Sequence, residues 1–86
     1  MPTSPVPLSP TTIEFGRRVR ERRNELGLSQ EALAHQSGIH WTFIGQVERG
    51  RRNLTLHNIV KIASALDTDP ATLVAGLKPH DEAMSP

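Results

Sequence analysis

Between Gln30 and Gly50 the chain reads QEALAHQSGIHWTFIGQVERG, and this stretch constrains the fold more than any other. Two short helical patterns meet at Gly38 with too few residues between them for a long loop. In the first, Gln30 to Gln36, Leu33 and Ala34 point inward; in the second, Trp41 to Arg49, Ile44, Val47 and Glu48 share a face at i, i+3, i+4 spacing. Gly38 enters the left-handed backbone region at low steric cost, so it can end one helix and turn the chain sharply. Ala34 is small where the second helix must cross closely, and Ile39, Ile44 and Val47 fill the angle between the two. The pattern predicts a tight pair of crossed helices, a helix-turn-helix, rather than a coiled-coil hairpin.

A chain of 86 residues supports one small domain, and with aromatic residues at 3% its core must come from Leu, Ile, Val and Ala. There are no cysteines, which excludes disulfides, thiolate metal sites and a nucleophilic thiol. Helix packing, with or without a dimer partner, has to suffice. The formal charge of +1 conceals a bias, because Asp81 and Glu82 lie at the far C-terminus. Residues 11–78 hold ten Lys and Arg against seven acids, which leaves that segment at +3. The cations cluster: Arg17, Arg18, Arg20, Arg22 and Arg23 in the first helix, then Arg49, Arg51 and Arg52 just after the turn motif. Clustering of this kind suits a phosphate-binding surface. No apolar run approaches membrane-spanning length and no signal peptide is evident, so a cytoplasmic protein that meets no membrane is expected.

Residues 1–10, MPTSPVPLSP, carry four prolines and read as a disordered arm. An inert tail is the expectation; a DNA-contacting arm would need the cations this segment lacks. The first helix is expected to start at Thr11, with Glu14 at capping-box spacing, and to place Phe15, Val19, Arg23 and Leu26 on one face before Gly27 stops it. Ser29 caps the second helix and His40 the third. Thr55 caps a fourth, whose Leu56, Ile59, Ile62, Ala63 and Leu66 form a broad apolar face while Lys61 and Ser64 face out. Asp67 stands where glycine would be the easy stop, and Asp tolerates left-handed backbone better than most residues. Asp69-Pro70 opens a short fifth helix that buries Leu73 and ends at Gly76. Residues 11–78 thus form the folded, all-α part, and 79–86 a flexible tail. No internal repeat is evident.

The strings LGLSQEALAHQSGI, FIGQVERGRRN and IVKIASALDTDP resemble, in order and spacing, the lambda-repressor and Cro family of XRE-type regulators, across about Phe15 to Leu77. RRNLTL after the turn motif is similar to restriction-modification controller proteins in particular. The resemblance implies a compact five-helix DNA-binding domain acting as a transcriptional regulator, a homodimer on double-stranded DNA. It lays the third helix in the major groove and turns the start of the second toward the backbone. Ile44, Val47 and Phe43 are then taken up by packing, which leaves His40, Trp41, Thr42, Gly45 and Gln46 on or near the outward side. Trp41, Thr42 and Gln46 are the expected base readers, Gln46 first, because its amide can donate and accept in pairs to adenine. The family has a polar residue where this chain has Trp41, so no borrowed base code applies there; contact with thymine methyls or a sugar face, and cover for neighbouring side chains, both stay open. Phosphate contacts are expected from Gln30, Arg49, Arg51, Arg52 and Asn53, with Phe43 placed beside them, whereas Arg17, Arg18, Arg20 and Arg22 read as a mostly solvated face.

Glu48 shares the inward side with Ile44 and Arg23 shares one with Val19, so opposite charges on two buried faces suggest an ion pair; the resemblance implies the same pair, joining first and third helices. Dimer contacts are expected from Leu73, Val74 and Leu77. An enzyme is not expected: Ser29, His35, His40, His57 and His80 fall into no nucleophile–base–acid spacing, and there is no HExxH or phosphate-binding glycine loop. No metal, cofactor or small-molecule ligand is expected either. The competing reading is a protein-interaction module, an antitoxin-like partner with secondary DNA binding. Its cue would be an amphipathic segment outside the five helices, and Leu77 to Pro86 is too short and proline-bounded to supply a good one.

Overall fold

Helices form where capping side chains and apolar faces coincide. In a computed structural model, which describes residues 7–79, they are α1 (Pro10–Glu25), α2 (Gln30–Ser37), α3 (Trp41–Glu48), α4 (Leu56–Ala65) and α5 (Pro70–Val74). Ser29, Thr55 and Asp69 each accept a first-turn backbone N–H with their side chains, and Pro70 opens α5 with its φ already set. Gly38 ends α2 at φ 73°, and Asp67 ends α4 at φ 52° without a glycine.

The start of α1 lies earlier than the Thr11 expected from sequence. Ser9 is the cap: its Oγ accepts from Thr12 N at 3.1 Å, and Thr12 Oγ1 accepts from Ser9 N at 3.1 Å. Pro10 then occupies the first helical position, where its missing N–H costs nothing. Leu8 N and the Thr12 hydroxyl both donate to Gly50 O, at 2.8 and 2.7 Å. Residues 8–10 therefore join the folded part instead of the arm, while residues 1–6 of that arm and 80–86 of the tail lie outside the described residues. The Thr11 hydroxyl donates to the Lys78 carbonyl, tying the two ends of the domain together.

The core is aliphatic, with Val19, Leu33, Ile44, Val47, Ile62, Leu66 and Leu73 fully buried. α3 packs on α1 and α2, α2 on α4, and α5 on α4 and α1. Gly16 sets the α1–α3 crossing: a Cβ built there would lie 2.2 Å from Val47 O, so the two backbones touch. Leu26 and Leu56, expected inward, are exposed at 38% and 75%. Leu26 has already left the helical face as the C-cap of α1, and Leu56 is the first residue of α4, ahead of the turn that meets α2.

Two α1 arginines expected in solvent instead serve the core. Arg22 donates from Nε to Leu66 O at 2.9 Å and from Nη2 to Asp67 O at 3.1 Å, and Arg18 donates to Leu73 O at 3.2 Å. Leu66 O and Leu73 O are carbonyls that α4 and α5 leave without an intrahelical partner, at the negative ends of their dipoles, and Asp67 directly follows the α4 cap.

Candidate nucleic-acid interface

The third helix is held at both ends. At its start His40 Nδ1 accepts from Thr42 N at 3.1 Å, which assigns the ring proton to Nε2. The His40 ring stacks on Trp41 with centroids 6.1 Å apart and planes at 22°. Trp41 is still 53% exposed, and Thr42 is exposed beside it. At the other end Glu48 turns inward; its side chain retains 2% of its accessibility and that of Arg23 12%. Arg23 donates from Nε to Glu48 Oε2 at 2.6 Å and from Nη2 to Oε1 at 2.9 Å, and from Nη1 to Leu28 O at 2.8 Å. Glu48 Oε1 also accepts from Gln30 Nε2 at 3.0 Å. One carboxylate thus ties α1 and the start of α2 to the end of α3. Its hydrogen bond raises the Arg23 pKa above the ordinary arginine value, against the opposing effect of burial.

Around this frame the cations gather. Arg20, Arg23, Gln30, Glu48 and Arg49 line one cleft at the start of α2. Gly45 is buried within it, correcting the outward placement expected from spacing: its absent Cβ would sit 3.3 Å from Arg49 Nη2 and 3.6 Å from Gln30 Oε1, so those side chains roof it. Past α3, Arg52 Nε donates to Gln46 Oε1 at 2.6 Å, and its guanidinium carbon lies 5.2 Å from the centre of the half-buried Phe43 ring. Asn53 is exposed; Arg51 is half-buried, and its Nε is shielded from solvent with no protein partner among the described residues. On the other flank Gly38, His40, Phe43, Asn58 and Lys61 line an open recess between the start of α3 and α4. Among the described residues no group of three or more His, Asp or Glu could hold a metal ion, and no helix is long and apolar enough to cross a membrane.

Residues 19–73 match the helix-turn-helix family HTH_3. The chain belongs to this XRE-type family. It is a DNA-binding transcriptional regulator, not an enzyme. It is 50% identical over 62 residues to Control protein C.SmaI of Serratia marcescens, covering 70% of this chain and 74% of the relative. Among solved structures, the restriction-modification controller protein C.AhdI from Aeromonas hydrophila is 52% identical with a TM-score of 0.71, covering 72% of this chain and 94% of that one. The P22 c2 repressor protein, solved in complex with a synthetic operator, is 32% identical with a TM-score of 0.67, over 72% of this chain and 94% of the repressor.

Within this helix-turn-helix regulator the expected site residues fall into three groups. Trp41 and Thr42 are exposed on α3 and Gln46, one turn on from Thr42, is half-buried, with Arg49, Arg51, Arg52 and Asn53 at the helix exit. Gln30 is half-buried and anchored by Glu48, and Phe43 is a platform under Arg52. Leu73 is in the core at 1% exposure and cannot present a dimer surface; Val74, at 38%, and the half-buried Leu77 remain, beside Leu54 and Ile59 in one groove. Arg20 and Lys61 were not among the expected phosphate contacts, yet each lines a recess beside the turn motif. Both look like solvated helix positions along the chain, and only the crossing of α1 and α4 with the turn motif brings them to it.

Proposed function

We propose that the chain binds duplex operator DNA as a homodimer, α3 in the major groove of each half-site, and so controls transcription in the manner of a restriction-modification control protein. The observation that carries this is the set of cations beside α3, with Arg20 and Arg49 in the cleft at the start of α2, Lys61 in the recess by His40 and Arg51 with Asn53 past its end, next to exposed Trp41 and Thr42 and half-buried Gln46. Arg49, Arg51 and Asn53 track the phosphates that flank the groove, while Gln30, held by Glu48, sets the start of α2 against the backbone. Thr42 and Gln46 meet base edges, and the Trp41 ring covers a thymine methyl or sugar face. Two copies joined through Val74 and Leu77 place their reading helices roughly 34–36 Å apart, about one turn of DNA. The work is then done in the cytoplasm on nucleoid DNA.

The test is titration of the full chain against a duplex from its own upstream region, at several salt concentrations. Four phosphate-bound cations per subunit, Arg20, Arg49, Arg51 and Lys61, make about eight per dimer, for which counterion release predicts a loss of about 10⁴ in affinity between 50 and 200 mM salt. Failure to bind any duplex at low salt would sink the reading.

A further inference from the structure

The loop that leaves α3 carries Arg51 and Asn53, and the peptide unit between Gly50 and Arg51 fixes its direction. Arg51 N donates to Gln46 O at 2.9 Å, closing the end of α3. On the other side of the same peptide, Gly50 O accepts from Leu8 N at 2.8 Å and from the Thr12 hydroxyl at 2.7 Å. A carbonyl oxygen has two lone pairs, and these two donors match them. The lone hydroxyl proton of Thr12 has a second carbonyl within reach, Ser9 O at 3.0 Å, and Gly50 O is the nearer. Gly50 stands at φ 76°, and a Cβ there would meet Ile13 Cα at 2.8 Å, so the loop backbone lies directly on the first turn of α1. Arg52 and Asn53 continue along that turn, in a groove they share with Thr11 and Thr12.

Resting on the operator-binding reading above, we propose that Thr12 is a positioning residue for DNA recognition: its hydroxyl, with the Leu8 amide, pins the Gly50–Arg51 peptide and so pre-sets the phosphate-contacting loop that follows α3. Thr12 touches no DNA itself and acts through Gly50. It lies ahead of residues 19–73, which carry the family match, and so adds to the helix-turn-helix from outside it. Residues 51–55 have no helix of their own to hold them, and a loop that must be ordered when DNA arrives costs affinity. Phosphate contacts fix the register of a protein on its site, so a loosened loop should weaken operator binding while the attraction of its charges for any duplex persists.

The experiment measures the affinity of the full-length chain for a duplex from its own upstream region and for an unrelated duplex. Salt is held constant, at a temperature where circular dichroism shows each variant fully folded. Thr12→Val keeps the shape and deletes the hydroxyl, Thr12→Ser keeps the hydroxyl, and Leu8→Pro deletes the other donor at an exposed residue outside the helices. Thr12→Val should lower operator affinity about tenfold per dimer, the cost of ordering one loop in each subunit. Leu8→Pro should weaken it in the same direction, and Thr12→Ser should stay within about twofold of the parent, as should every variant on the unrelated duplex. A merely structural role would move the melting temperature and leave the affinity of the folded chain alone. Three results overturn the proposal: Thr12→Val and Leu8→Pro both binding the operator as the parent does; Thr12→Ser failing as badly as Thr12→Val, which would make the methyl group and not the hydroxyl the cause; or operator and unrelated duplex weakened equally. Should Thr12→Val not fold, Leu8→Pro decides alone. A parent chain that binds its upstream duplex no better than the unrelated one is a different failure, that of the operator-binding reading.

Discussion

Glu48→Ala removes the junction of three helices and should be the most damaging single truncation at the interface. The carboxylate accepts two hydrogen bonds from Arg23 and one from Gln30, at 2.6, 2.9 and 3.0 Å, with almost no solvent at hand to replace them. Truncation strands a guanidinium whose remaining partner is Leu28 O, and leaves the Gln30 amide without its acceptor. Breaking a buried pair on one side costs about 3–5 kcal/mol. A domain of this size loses about 4–8 °C in melting temperature per kcal/mol, so the midpoint should fall by at least about 12 °C. The assay is thermal unfolding followed by circular dichroism at neutral pH, with Arg23→Met/Glu48→Leu as control. Removing both charges leaves no stranded ion, so the double variant should recover most of the loss. A Glu48→Ala midpoint within about 2 °C of the parent would refute the reasoning, since surface-level effects stay within roughly ±0.5 kcal/mol.

Gly16→Ala forces a Cβ to 2.2 Å from Val47 O, a backbone atom that cannot step aside without moving α3; the expected cost is about 3 kcal/mol or more, read as a lower urea midpoint. Arg22→Ala uncaps the end of α4 at Leu66 and Asp67 and should cost about 1–2 kcal/mol by the same measurement, whereas Arg20→Ala should leave stability unchanged and weaken DNA binding. Glu14 is hydrogen-bonded by Arg17 and Arg18, which hold its pKa down at about 2. A carboxyl depressed on folding contributes stability that is fully present above its unfolded pKa and lost as pH falls toward 2; the parent should therefore lose more stability than Glu14→Gln between about pH 4.5 and 2. The group is exposed, so the difference should be small and should shrink further in high salt.

What could be read along the chain was whatever local spacing determines. Ser29, Gly38, Thr55 and Asp69-Pro70 punctuate the helices through contacts within a few residues, and the structure has those stops and starts where the residues put them. The inward placement of Arg23 and Glu48 was legible because a charge on an otherwise apolar face demands a partner. Arg18 and Arg22 were misread for the opposite reason: they fall on a polar face, and the carbonyls they cap lie 55 and 44 residues away. Gly45 follows the outward spacing of α3 but is roofed by side chains from elsewhere. Gly16 carried a signal that went unused, since a glycine inside a helix costs about 1 kcal/mol relative to alanine and is expected only where packing requires it. The latch of Arg52 on Gln46 depends on the path of the loop after Gly50, which no periodicity describes.

An eight-residue helix is too short to hold itself together in water, so the geometry of the reading edge cannot come from α3 alone. It comes from what α3 is fastened to: backbone contact with α1 at Gly16, the Arg23–Glu48–Gln30 junction, the His40 cap at one end and the Gly50 carbonyl bonded by Leu8 and Thr12 at the other. Each fastening removes freedom before DNA arrives, and a preordered surface loses less entropy on binding than a loose one. Stability and specificity are therefore coupled in this domain. The Glu48→Ala variant, even well below its melting temperature, should lose discrimination between operator and unrelated duplex, because Gln30 is released from the same carboxylate that orients α3. Binding to unrelated duplex should survive, since Arg49, Arg51 and Lys61 keep their charges and counterion release does not depend on register.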